Sequence, residues 1–117
     1  MNVTIDRQGS AAIVRPAGRL DFGAAAGFQE DVDRALAGDG SKPSAVIIDC
    51  AALEYVSSAG LRVFLVGARA SKSSDIAFLV CNLMPSVREV FGVSGFDRII
   101  PVAGTIDEAL DKAGVAR

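Results

Sequence analysis

The spacing of apolar residues changes along the chain from every second position to every third or fourth, and each change marks a predicted element. Val3-Thr4-Ile5-Asp6 alternates, Gln8-Gly9-Ser10 has turn composition, and Ala11-Ala12-Ile13-Val14-Arg15-Pro16 reads as a second strand, so the chain opens with a hairpin. Gly18-Arg19-Leu20-Asp21 is expected to turn the chain. Asp21 then caps a helix whose Ala25, Phe28, Val32 and Leu36 recur at helical spacing, and Gly38-Asp39-Gly40-Ser41-Lys42-Pro43 ends it.

Ala45-Val46-Ile47-Ile48-Asp49-Cys50 is a nearly continuous apolar run, as a strand covered on both faces requires. After Leu53 and Val56 the pattern predicts a helix with Leu61, Phe64, Leu65 and Ala68 on its apolar face, closed by Ser71 to Asp75. Ile76 to Cys81 repeats the buried-strand pattern. Pro85 fits the first turn of a helix carrying Val87, Val90 and Phe91, with Gly92 and Gly95 at its exit. Asp97 to Val102 reads as a short last strand. Thr105 caps a final helix with Ile106, Ala109, Leu110 and Ala113, and Glu108 stands at the capping-box position. Helix and strand alternation after a hairpin predicts an α/β fold: a largely parallel mixed sheet of about four or five strands with about four helices and an antiparallel edge. Functional groups in such sheets gather in loops at the carboxyl ends of the strands, where the segment Glu54-Tyr55-Val56-Ser57-Ser58-Ala59-Gly60 falls.

The 117 residues suit one domain spanning 1–117, and half of them are hydrophobic, which is ample for a core. The formal net charge is −2 and no dense Lys/Arg stripe occurs, so no direct nucleic-acid partner is expected. No apolar stretch approaches the roughly 18 residues of a membrane span and the amino terminus has no secretory pattern, which implies a cytoplasmic protein without membrane insertion. The absence of histidine removes the usual general base and zinc ligand, and the two cysteines, Cys50 and Cys81, lie in apolar runs as buried reduced thiols. Enzymatic activity, a metal and a cofactor are therefore not expected. Gly38 to Lys42 superficially resembles a phosphate loop but lacks the required order and follows a helix. Asp49 and Glu54 could be imagined as paired catalytic carboxylates, but their flanks suggest a strand end and a loop.

Ser57 and Ser58 stand where a helix begins. A serine there can act as N-cap, its oxygen accepting from an otherwise orphaned N–H. Equally, the free N–H donors and the positive end of the helix dipole favour an anion, so a phosphoserine would be tolerated. Gly60 leaves space for close approach of another backbone, Arg62 lies one turn beyond Ser58, and Val63 and Val66, placed off the apolar face, would form an exposed docking patch.

Asp49, the segment Val56-Ser57-Ser58-Ala59-Gly60-Leu61-Arg62, the upstream Gly18-Arg19-Leu20-Asp21 and the later Pro85-Ser86-Val87-Arg88-Glu89-Val90-Phe91 resemble the anti-sigma factor antagonist family, the single-domain members of the STAS group. The resemblance implies a STAS-type fold and a protein that binds an anti-sigma factor, itself a serine kinase, so that a sigma factor is released. It further implies phosphorylation of one serine, which abolishes binding, and restoration by a metal-dependent serine phosphatase. Aligned on Gly60, the phosphoacceptor falls on Ser58, with Ser57 as the alternate, and the family's acidic residue before the first helix falls on Asp21. The partner surface it implies comprises Asp21, Ser57, Ser58, Ala59, Gly60, Arg62, Val63 and Val66. Ser57 and Ala59 replace the aspartate and hydroxyl residue that often flank the acceptor. The competing reading is a constitutive STAS accessory subunit of a membrane lipid-transport complex.

Overall fold

In the computed structural model, residues 1–115 are described. Strands β1 (Asn2–Gln8) and β2 (Ala11–Leu20) form the antiparallel hairpin, with Asn2 opposite Ala17 and Gln8 opposite Ala11. Helix α1 (Phe22–Ala37), strands β3 (Ala45–Asp49) and β4 (Leu53–Val56), helix α2 (Ser58–Ser73) and strand β5 (Ala77–Cys81) follow. Helix α3 (Pro85–Val93), a 3₁₀ turn at Phe96–Arg98, strand β6 (Val102–Ala103) and helix α4 (Ile106–Lys112) complete the order. The sheet runs β1-β2-β3-β5-β6, parallel except for the hairpin, with β4 also pairing β2.

The long β2 explains how the site is placed. Its first half, Ala11 to Val14, pairs β3, whereas Gly18, Arg19 and Leu20 pair β4. Gly18 adopts φ +102°, a conformation that favours glycine, and donates its N–H to the Ala52 carbonyl at 2.8 Å. Gly18 to Leu20 thus continue the strand rather than turning the chain. Beside them Gly18 pairs Leu53 and Arg19 pairs Tyr55, which leaves Glu54 as the extra residue of a β-bulge. The bulge breaks the two-residue alternation, so Leu53 and Val56 both face inward and the strand has no sequence signature.

At the other edge, only Val102 and Ala103 pair β5. Residues 97–100, expected to begin the last strand, instead complete the 3₁₀ turn and a bend, because Ile100 turns into the core while Ile99 stays exposed. Two apolar clusters cover the sheet. Helices α1, α2 and α3 pack on one face through Phe28, Phe64 and Phe91, and α4 packs Ala109 and Leu110 on the other. The rings of Phe28, Phe64, Phe91 and Phe96 follow one another at centroid separations of 5.5, 5.2 and 6.0 Å, the last two edge to face, a geometry that adds about 0.5–1.5 kcal/mol per pair to area burial.

Candidate functional site at the start of the second helix

Leu20 pairs Val56, so β2 and β4 end side by side and the helices that follow them begin near one another. The Ser57 N–H donates to the Leu20 carbonyl at 2.8 Å, which fastens the start of α2 to the end of β2. Ser57 has extended backbone angles and its Oγ accepts the Gly60 N–H at 3.1 Å. It is the N-cap. Ser58 is the first residue of the helix and is exposed, with no acidic residue in that first turn. The positive end of the α2 dipole therefore faces solvent beside an unburied hydroxyl.

Asp21 caps α1 in the same way, its Oδ1 accepting the Ala24 N–H at 2.9 Å. Phe22, next to it, is 82% exposed at the first position of α1. The Arg19 guanidinium lies 4.2 Å from the centroid of the Tyr55 ring, which is itself 40% exposed. Spacing gives none of Phe22, Arg19 and Tyr55 a role of its own, although Arg19 lies in the segment Gly18-Arg19-Leu20-Asp21 and Tyr55 in the segment from Glu54 to Gly60. Phe22 lies three residues before Ala25 and so falls on the predicted apolar face, yet the first turn of α1 lies beyond the end of β2 at Leu20. An aromatic beside a capping aspartate was the available signal. The contact between Arg19 and Tyr55 follows from the pairing of β2 with β4, which the sequence pattern does not reveal.

The predicted site residues divide. Ser58, Arg62 and Val66 are exposed on α2, and Ser57 and Ala59 are half-buried at its start. Val63 does not belong to the exposed patch, since it is only 5% exposed and packs in the core. Gly60 is buried too, and a Cβ there would stand 2.6 Å from Leu20 Cγ, so its missing side chain admits Leu20 rather than a partner. The buried stripe of α2 is Gly60, Val63, Phe64, Gly67 and Ser71.

The other candidates hold structural positions. Asp49 accepts hydrogen bonds from the Ala51 N–H at 3.1 Å and Asn82 Nδ2 at 3.0 Å and pairs Arg15 Nε at 3.3 Å, while Glu54 is exposed on β4. Lys42 of the glycine-rich loop donates to the Ser74 carbonyl. Burial pushes the Cys50 thiol well up, with the charges of Cys81 and Asp49 adding to it. Burial and then the Asp49 charge push Cys81 up to about 12, against a smaller opposing effect of Arg15. Neither is a nucleophile at neutral pH. Among the described residues no cluster of three or more His, Cys, Asp and Glu is arranged to hold a metal.

The profile of the STAS domain matches residues 2–109. The chain belongs to the STAS domain family. A relative from Bordetella bronchiseptica named as an anti-sigma factor antagonist, BtrV, is 45% identical over 64 residues, a stretch that spans 55% of this STAS chain and 55% of the relative. The structure of the anti-sigma factor antagonist SpoIIAA in its unphosphorylated form superposes with a TM-score of 0.79 at 22% identity, covering 99% of this chain and all (100%) of that one. The phosphorylated form of SpoIIAA, described as a Bacillus cell fate determinant, gives 0.70 at 21% identity over 95% of this chain and 98% of that one. At these identities the superpositions establish the STAS fold. No helix among the described residues is long and apolar enough to cross a membrane.

Proposed function

We propose that this STAS protein is an anti-sigma factor antagonist that docks an anti-sigma serine kinase through the face around Ser58 and is released when Ser58 is phosphorylated. The observation that carries the reading is the division of labour between the two serines: Ser57 Oγ is engaged as the helix cap, whereas Ser58 is exposed at the dipole end with no acidic residue in the first turn of α2. Relatives named as anti-sigma factor antagonists, one of them with a phosphorylated form, support the same assignment.

The mechanism rests on charge. A phosphoryl group adds about −1.5 to −2 charges and three acceptor oxygens. In the free protein the start of α2 accommodates that anion. In a docked complex the dianion would be desolvated, at a cost of several kcal/mol wherever the partner supplies no cation, and each 1.4 kcal/mol is a tenfold loss of affinity. Sequestration of the kinase frees the sigma factor; a metal-dependent serine phosphatase resets the antagonist. Asp21, Ser57, Ala59, Arg62 and Val66, together with Phe22, form the rest of the docking face.

Incubation with the cognate kinase and ATP, followed by intact-mass analysis and site mapping, tests the assignment. Ser58→Ala is expected to retain kinase binding and take no phosphate. Ser58→Glu is expected to bind roughly tenfold or more weakly while melting within a few degrees of wild type. A glutamate variant of unaltered affinity, or a phosphate mapped to another residue, overturns the role of Ser58.

A further inference from the structure

A second surface lies at the far end of α2. Strand β6 pairs only Val80 and Cys81, so among the described residues no strand pairs the first half of β5 on its outer side. Successive residues of a parallel strand direct their backbone groups to opposite neighbours. Ala77 N–H donates to Ser44 on the β3 side, and Val80 N–H donates outward to the Pro101 carbonyl. Phe78 shares the outward direction of Val80, and the chain that would pair it presents Pro101, which has no N–H to give. The backbone N–H and carbonyl of Phe78 therefore face a groove of about 910 Å³ lined by Leu65, Ala68, Ile99 and Pro101.

The groove is strongly cationic. Arg69, Lys72, Arg98 and Lys112 line it against the single acid Asp75, in a chain whose formal net charge is −2. Arg69, Lys72 and Arg98 enter no ion pair among the described residues. Lys112 donates to the Val102 carbonyl at 3.1 Å and keeps its charge at the rim. Unspent cations around an unpaired strand residue and an apolar floor fit an extended acidic segment: main-chain pairing at Phe78 fixes it, and alternate acidic side chains meet the basic wall.

The geometry points to a docking site for an acidic, extended peptide segment of a partner protein, added as a strand to the β5 edge beside Phe78. It is a separate surface from the one around Ser58 and does not depend on that serine's role. Full-length ¹⁵N-labelled protein titrated with the capped peptide Glu-Val-Asp-Val-Glu-Val tests it by amide chemical shifts. A saturable response centred on Ala77, Phe78 and Leu79 is expected. It should weaken roughly tenfold in the Arg69→Glu/Arg98→Glu double variant, provided the remaining spectrum shows the fold retained, and it should fade as salt is raised. Lys-Val-Lys-Val-Lys-Val should not bind. Methylating alternate backbone nitrogens of the acidic peptide in each of the two registers should abolish binding in one register, because charge remains but strand pairing does not. Equal binding of both methylated peptides, a comparable response to inorganic phosphate or a free nucleotide, or no saturable shift at the β5 edge overturns the proposal. The last result would mean that the cations only keep the bare edge from pairing.

Discussion

Ser57 and Ser58 are adjacent copies of one side chain, and the backbone separates their fates. Ser57 Oγ lies 3.1 Å from the Gly60 N–H and supplies the cap, so Ser57→Ala should cost about 1 kcal/mol in urea unfolding while phosphate transfer to Ser58 persists. Loss of phosphorylation with unchanged stability would reverse the two assignments. Phe22 offers a contrasting case, since 82% of its surface is already in water. Phe22→Ala should leave the melting curve in place and weaken kinase binding by at least about 1 kcal/mol, the loss typical of an aromatic anchor at an interface; isothermal titration against the kinase measures it. Neither distinction is written in residue type alone. Two serines in sequence announce a helix start, but which one caps follows from where φ and ψ leave the extended region.

Helix α2 shows why a pattern can be correct in period and wrong in phase. The residues Leu61, Phe64, Leu65 and Ala68 mark a helical stripe, but the face in contact with the sheet is centred on Gly60, Val63, Phe64 and Gly67. Glycine contributes no hydrophobic signal although it permits the closest approach: a Cβ at Gly67 would lie 3.1 Å from both the Phe78 ring and Val32 Cγ1. Val63 therefore lies on the buried face, although spacing alone places it on the exposed one. Gly60→Ala should destabilise the protein by about 1–3 kcal/mol through overpacking against Leu20, read as a fall in Tm of several degrees per kcal/mol. Strands β3 and β5 were legible because both their faces are buried and their apolar runs are continuous. Strand β4 was not, because the bulge at Glu54 destroys its alternation, and the last strand was overextended because Ile99 and Ile100 look alike in sequence while only Ile100 is buried.

For the molecule as a whole, the two apolar clusters leave both thiols beneath helices and far from ionisation. Cys50 and Cys81 should resist a thiol-specific disulfide reagent at pH 8 in the native state and react fully in denaturant. Their folded pKa values lie above the ordinary value of 9.0, with Cys81 at about 12. Above pH 9 the unfolded thiols lose protons that the native ones retain, so the Cys81 contribution to stability is complete below pH 9 and is lost as the pH rises toward about 12. The unfolding midpoint of wild type should therefore fall more between pH 8 and about 10.5 than that of a Cys81→Ala variant.

The length of α2 has a consequence for how the protein is wired. Lys72 stands fourteen positions beyond Ser58, which at a rise of about 1.5 Å per residue is about 21 Å. Two visitors at opposite tips of that rod do not overlap. On the two proposals together, a negative mark at one tip would evict its visitor while the other stayed tethered, leaving the protein moored at one address while its cargo elsewhere comes and goes.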